Sequence, residues 1–306
     1  MILCDVARAY SLPGSDFMLN DLVDLHLHST FSDGLLTPTE LVDKAVAIGL
    51  RAIAIADHDN VDGVPEAMAA GRLAGIEIVS GVELSVVWRN HQDIHLLGYD
   101  FDPYHGPLCR SLAEFRNFRA NRSRRILDKV NAQLIQQKQP PLDFVEVAAL
   151  AGGTMGRPHI GQALVNAGHV PSMEAAFQRY LVPCNVPKRY FPVDEAIEML
   201  HAAGGCAVLA HPPFIKVSEK ELETLVDEFI AMGLDGLEVY NSGADNATID
   251  RHLTLARRRD LLVTGGSDFH RDQPGGTELG RGLGNLRISY QTVEEIRARA
   301  AGYRTR

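Results

Sequence analysis

The stretch "DLHLHSTFSDG" puts His26 and His28 two residues apart, with Asp33 five residues further on. Two neighbouring imidazoles gain little in a soluble core. A divalent ion takes neutral imidazole nitrogen and carboxylate oxygen readily. The same residue types recur down the chain. His58 sits in "IADHD", Glu83 in "SGVE", His95 in "DIHLLGYDF", His211 in "CAVLAH", and Asp268 and His270 in "GGSDFH". Thiolate is missing from this set, which suits Mn²⁺, Fe²⁺ or Zn²⁺ better than a soft-metal or iron–sulfur site. The candidate ligands exceed what one ion takes, so two or three divalent transition ions are implied, with a carboxylate shared between them. Clustered ions lower the pKa of a bound water and stabilise both oxygens of an in-line displacement. Hydrolysis of a phosphate ester is the natural fit.

Something must bring these distant residues together. "LVDLHLH" alternates with period two and reads as a strand, placing His26 and His28 on one face. On that face Asp24 would orient His26, or serve as a hydrogen-bonded structural carboxylate. Asp57 would do the same for a neighbour, or serve as a hydrogen-bonded structural carboxylate. "TPTELVDKAVAIGL" follows with a Thr cap signal and helical spacing. "RAIAIADHD" is a buried strand, "VPEAMAAGRLAG" a helix closing on Gly75, "IEIVSGVE" a strand ending at Glu83, and "DIHLLGYDF" one more. From Pro107 to Pro187 the periodicity turns helical almost throughout. Alternation then resumes, through strands "CAVLAH", "DGLEVY" and "LLVTGGSDFH" to a closing helix "TVEEIRARA".

Strand–helix alternation predicts a parallel sheet with right-handed crossovers. About seven such units, with no GxGxxG at the first turn, favour a barrel over a doubly wound sheet. All the suspect residues but His95 lie at or just after the end of a predicted strand. In a parallel barrel that rim carries the chemistry. His91, His105, His169, His201 and His252 have no such pattern and read as ordinary histidines.

The chain has 306 residues, 45% of them hydrophobic, with a formal net charge of −9. No apolar run reaches the roughly 18 residues of a membrane span. No global basic excess favours duplex DNA. Four cysteines without paired spacing fit a reducing, cytoplasmic setting. Residues 1–20 read as an extension that is not a signal peptide.

"DLHLHSTFSDGLLTP", "IADHDNVDG", "SGVELS", "HLLGYDFD", "AHP" and "GSDFH" together resemble the successive motifs of the PHP (polymerase and histidinol phosphatase) superfamily. The resemblance spans about residues 22–290. It implies an α/β fold: a distorted seven-stranded (β/α) barrel with an inserted helical subdomain. It implies a barrel over 21–106 and 188–306, and a helical substrate-capping insertion over 107–187. It also implies a trinuclear centre, with manganese favoured. His26, His28, Glu83 and Asp268 would hold one ion. Glu83 would bridge to a second on His95 and His211, and Asp33, His58 and His270 would hold a third. His26, His28, Glu83, His211, Asp268 and His270 would be the catalytic set.

The insertion is similar to the branch containing bacterial nucleoside 3′,5′-bisphosphate phosphatases and 5′→3′ exoribonucleases. The pieces that match are its Arg-rich helix, "GRPHIGQALVNAG" and "AFQRYL…NVPKRY". After "AHP" the chain departs from that branch, reading "PFIKVS" in place of Gly and a basic residue. "FRNFRANRSRR" carries five arginines and no acid, with Arg116, Arg119, Arg122 and Arg125 at three-residue spacing. Such a stripe suits phosphate. Arg122, Arg157, His159 and Lys188 are the candidate substrate contacts. The expected substrate is a small nucleotide or short single-stranded RNA. A histidinol-phosphate-type phosphomonoesterase, an amidohydrolase and a metal-binding regulatory module are the rivals.

Overall fold

Thr37 begins the first helix as the sequence predicts. Its hydroxyl accepts from the Glu40 amide, while the Glu40 carboxylate accepts from Thr37, a reciprocal cap ahead of α1 (Pro38–Ala47). Helix α2 (Val64–Ala74) ends at Gly75, whose φ of 76° a side chain would resist. Such local signals set the elements of a computed structural model that describes residues 21–151 and 155–305. The expected N-terminal extension, residues 1–20, lies outside the described residues, as does the side chain of Arg119.

Among the described residues nine strands form one sheet. Strands β1 (Leu22–Leu27), β2 (Ala52–Ile55) and β3 (Glu77–Trp88) run parallel. Strand β4 (His91–Tyr99) lies antiparallel to β3. The short β5 (Phe191–Pro192) flanks β3, after which β6 (Cys206–Leu209) pairs antiparallel with β4. Strands β7 (Gly236–Tyr240) and β8 (Leu262–Gly265) continue parallel. Leu27 and Phe269 then bridge, with the His28 amide donating to Phe269 O at 2.9 Å and the Asp268 amide to His26 O at 2.9 Å. That contact returns the sheet to β1 and nearly closes a barrel. A final β9 (Ile288–Ser289) lies antiparallel to β1.

An all-parallel sheet is therefore corrected at β4. Only Arg89 and Asn90 separate it from β3, and Arg89 takes φ 53°. A two-residue link can join only antiparallel strands, because a parallel crossover needs a dozen residues or more. Strand β3 also runs five residues past its expected end at Glu83.

Helices cover the outside. Leu41, Val42 and Ala45 of α1 pack with Ile53 and Ile55 of β2. Helices α7 (Val193–Ala202) and α8 (Glu219–Met232) cover β3, β4 and β6 through Ile197, Leu200, Leu225 and Phe229. Helix α9 (Asn246–Arg258) lies beside β7, and α10 (Gln291–Arg304) buries Val293 and Ile296 against Cys206 and Val208.

The long α3 (Gly106–Gln136) belongs to two cores. Leu108, Leu112 and Phe115 pack into the barrel layer. Ile126, Val130 and Leu134 instead pack with α4 (Phe144–Ala149), α5 (Arg157–Asn166), α6 (Met173–Ala176) and the π-turn Phe177–Leu181. Among the described residues no helix is long and apolar enough to cross a membrane.

Candidate metal centre

The strand ends gather the nine residues of the sequence motif. His26 and His28 come from the end of β1, which has a register shift between Asp24 and Leu27. The loop beyond carries Asp33. Its path is fixed by Asp57, whose carboxylate accepts from the Ser29 amide at 2.7 Å, the Ser29 hydroxyl at 2.6 Å and the Ser32 hydroxyl at 2.5 Å. Gly34 folds back so tightly that a Cβ there would stand 2.1 Å from His28 O. Gly266 likewise lies against His26, with a Cβ there 2.2 Å from that of His26. Both glycines are set by close approach to the histidines.

His58 follows β2 and bridges to Glu83 of β3. Parallel pairing of β2 with β3 stops at Ser80, so Glu83 stands level with the end of β2 although it lies inside its own strand. His95 was the exception to the strand-end pattern. Because β4 runs backwards, its first half lies where the parallel strands finish, and His95 pairs with Ser85. His211, Asp268 and His270 follow β6 and β8. His211 and Asp268 take φ of 26° and 55°. Such values are uncommon outside glycine and cluster where a surrounding structure holds a functional side chain in place.

Glu83 is the hub and is 1% exposed. Its Oε1 lies 2.8 Å from His95 Nδ1 and 2.8 Å from His211 Nε2. Its Oε2 lies 3.0 Å from His58 Nδ1, 3.3 Å from His28 Nε2 and 3.5 Å from His26 Nε2. Asp268 Oδ1 lies 3.1 Å from His28 Nε2 and 3.6 Å from His26 Nε2. Asp33 reaches His270 Nε2 at 3.3 Å, His28 Nδ1 at 3.7 Å and His58 Nε2 at 3.8 Å. Burial would raise the Glu83 carboxyl, but the imidazoles of His58, His95 and His26 hold it well below the usual carboxylate range. Burial also works against a charged His58, yet Glu83, Asp33 and Asp59 push it up to about 9.

These residues fit metal ions. His26 Nε2, both nitrogens of His28, His58 Nδ1 and Glu83 Oε2 are buried without a hydrogen bond. Buried polar atoms are ordinarily paired, so a group of orphans facing one another marks a ligand space. Donors about 2.0–2.2 Å from a common ion lie about 3–3.5 Å apart, as several of these do. Among the described residues three sets have donor atoms within 4.8 Å of one another: His28, Asp33, His58 and His270; His26, His28 and Asp268; and His58, Glu83 and His95.

Asp24 does not orient His26. Across the register shift its carboxylate accepts from the backbone amides of His26 at 3.3 Å, Ser267 at 2.9 Å and Gly280 at 2.7 Å. The imidazole instead meets Glu238 of β7, with His26 Nδ1 2.8 Å from Oε1. Sequence reasoning passed over Glu238 as part of "DGLEVY". A lone acid in an otherwise apolar buried strand was the available signal.

The four expected substrate contacts lie in or next to the insertion. Arg122 Nε donates to Val186 O at 2.7 Å and its guanidinium to Asn185 at 3.1 Å. The Arg157 guanidinium lies 5.7 Å above the Phe177 ring, and the Lys188 ammonium 5.7 Å from that of Tyr190. His159 Nδ1 accepts the Gly156 amide at 3.0 Å, which leaves the proton of the neutral ring on Nε2. Arg116, in the cationic stripe, is engaged by the barrel, at 2.9 Å from Asp62 and 2.8 Å from Asn60.

The PHP domain profile matches residues 24–182. A 5′-3′ exoribonuclease of Haemophilus influenzae is 38% identical over 266 residues, covering 85% of this chain and 93% of its own. A 3′,5′-nucleoside bisphosphate phosphatase of Chromobacterium violaceum is 33% identical over 270 residues, covering 84% and 90%. A crystal structure from Bifidobacterium adolescentis, provisionally assigned as a metal-dependent phosphoesterase, superposes with a TM-score of 0.72 at 34% identity, covering 90% of this chain and 96% of that one. Another from Chromobacterium violaceum, described as an amidohydrolase with bound sulfate and no metal, has a TM-score of 0.67 at 32% identity, covering 82% and 92%. The profile runs through the strands that deliver His26, His28, Asp33, His58, Glu83 and His95, and the relatives match along most of both lengths, so this chain belongs to the PHP domain family.

Proposed function

We propose that the protein is a metal-dependent phosphoesterase acting on nucleotides: on the 3′-phosphate of nucleoside 3′,5′-bisphosphates, on short 5′-phosphorylated oligoribonucleotides, or on both. The observation that carries this is Glu83, whose two oxygens face separate groups of imidazoles, as a carboxylate shared between ions must. On this reading His26, His28, Glu83 and Asp268 would hold one ion, Glu83, His95 and His211 a second, and Asp33, His58 and His270 a third, with manganese favoured. When bound, such ions acidify water and neutralise charge on phosphoryl and leaving oxygens.

The chain's own residues supply the rest. Asp57 holds the loop bearing Asp33, and Arg116 ties α3 to the loop after β2. Residues 107–187 cap the barrel rim, where Arg122, Arg157, His159 and Lys188 grip a remote phosphate and set the scissile one in line. The description of the Chromobacterium violaceum structure as an amidohydrolase favours amide hydrolysis as a second reading. Such enzymes commonly bridge their ions with lysine, and here the shared position is Glu83. A substrate panel of 3′,5′-bisphosphate, 5′-phosphorylated oligoribonucleotide, histidinol phosphate and an amide tests the assignment. Turnover of the nucleotides at least tenfold above the others is expected. Preference for the amide or histidinol phosphate would overturn it.

A further inference from the structure

Glu238 stands between Leu237 and Val239 in β7 and is fully buried. An ionised carboxylate there is costly unless donors surround it. Two do. His26 Nδ1 lies 2.8 Å from Oε1, and the backbone amide of His211 donates to Oε2 at 2.6 Å. At 2.8 Å only a nitrogen that carries hydrogen can face a carboxylate oxygen. Nδ1 of His26 thus carries hydrogen, which leaves Nε2, 3.5 Å from Glu83 Oε2 and 3.6 Å from Asp268 Oδ1, as the nitrogen that would ligate an ion. The bond to His211 falls on a residue with φ 26° and ψ 62°, a conformation that needs outside support. From it, His211 Nε2 reaches Glu83 Oε1.

We propose that Glu238 is a positioning residue that joins the two halves of the metal centre. One oxygen fixes the tautomer and direction of His26 on the Oε2 side of Glu83. The other fixes the backbone that aims His211 at the Oε1 side. Metal-bound imidazoles are commonly held this way by a carboxylate on the far nitrogen. Here a single carboxylate serves a side chain and a main-chain amide from strands far apart in sequence. The proposal rests on the metal-centre reading, which the wild-type protein tests separately.

The experiment titrates the metal-stripped full chain with Mn²⁺ against a chromophoric chelator, reading affinity and stoichiometry and no turnover. If wild type bound no ion, the metal-centre reading itself would fail. Glu238→Gln keeps shape but brings a donor amide where both partners are donors. We expect it to weaken binding about 10- to 100-fold, with circular dichroism unchanged. Asp24→Asn is the control: its carboxylate meets the amides of His26, Ser267 and Gly280 and the Ser267 side chain but no imidazole, so it should lower Tm and leave affinity near wild type. Wild-type affinity in Glu238→Gln would overturn the proposal. Should that variant not fold, Glu238→Asp decides. It keeps the charge but is one methylene too short to span both partners. Weakened binding supports the proposal, and wild-type binding overturns it. Failure of both variants to fold would make Glu238 a requirement of the fold and also overturn it.

Discussion

Raising the pH should tighten metal binding steeply, and His58 supplies the magnitude. Its Nδ1 faces Glu83 Oε2 at 3.0 Å, and its Nε2 faces Asp33 at 3.8 Å. Burial favours the neutral ring, but the carboxylates of Glu83, Asp33 and Asp59 outweigh it, and the group titrates at about 9. An imidazole must lose its proton to bind an ion. At pH 7.5 about one metal-free molecule in 30 has His58 neutral, 1.5 units below its pKa. Affinity should rise at least about tenfold per pH unit from 6.5 to about 9, because His26, His211 and His270 are raised as well and must also lose protons. The stability of the metal-free protein should move the opposite way. The folded value lies above the ordinary 6.5, so the His58–Glu83 pair is complete below pH 6.5 and is lost as pH rises through about 9. At 1.36 kcal/mol per unit, that is about 3 kcal/mol. The assay is titration of stripped protein with Mn²⁺ at pH 6.5, 7.5 and 8.5, beside proton release in weak buffer. Affinity independent of pH over this range, or binding without proton release, would mean that His58 gives up no proton to an ion.

Three further outcomes follow from the geometry. Asp24→Asn disturbs bonds from the amides of His26, Ser267 and Gly280 and should cost about 1–3 kcal/mol. Thermal unfolding should show a drop of roughly 2–4 °C per kcal/mol; no drop would mean that water replaces those bonds. Arg157→Ala should lower kcat/KM for a 3′,5′-bisphosphate about 10- to 150-fold, the loss of one charge-assisted hydrogen bond, and leave an aryl phosphate nearly unchanged. Equal loss on both substrates would remove it from phosphate binding. Glu83→Gln takes a shared carboxylate from five imidazoles, a buried pairing worth about 3–5 kcal/mol, so elemental analysis should find the protein depleted of metal and inactive.

The candidate ligands are legible in the sequence because most are polar residues ending an apolar run. In a barrel such residues have one place to go. His95 did not fit that rule, because the reversal of β4 comes from the turn Arg89–Asn90, which lacks the Asn-Gly or Asp-Gly sign of a tight hairpin. Asp24 takes the structural one of its two expected roles, because strict alternation fails at the β1 register shift. Glu238 stayed hidden because its partner His26 lies 212 residues away. The helix start at Thr37 and the stop at Gly75 are local and therefore readable. The arginines of α3 show the opposite limit. Their spacing was plain in the sequence, but Arg116's engagement with Asp62 depends on how the helix meets the barrel.

The most direct test of the account is phosphate release from a nucleoside 3′,5′-bisphosphate by the metal-stripped protein as Mn²⁺ is added back in measured equivalents. No release is expected without metal, and activity should keep rising beyond one equivalent per chain before it saturates. Release from the stripped protein, or saturation at a single equivalent, would contradict a cluster built around a carboxylate shared between ions.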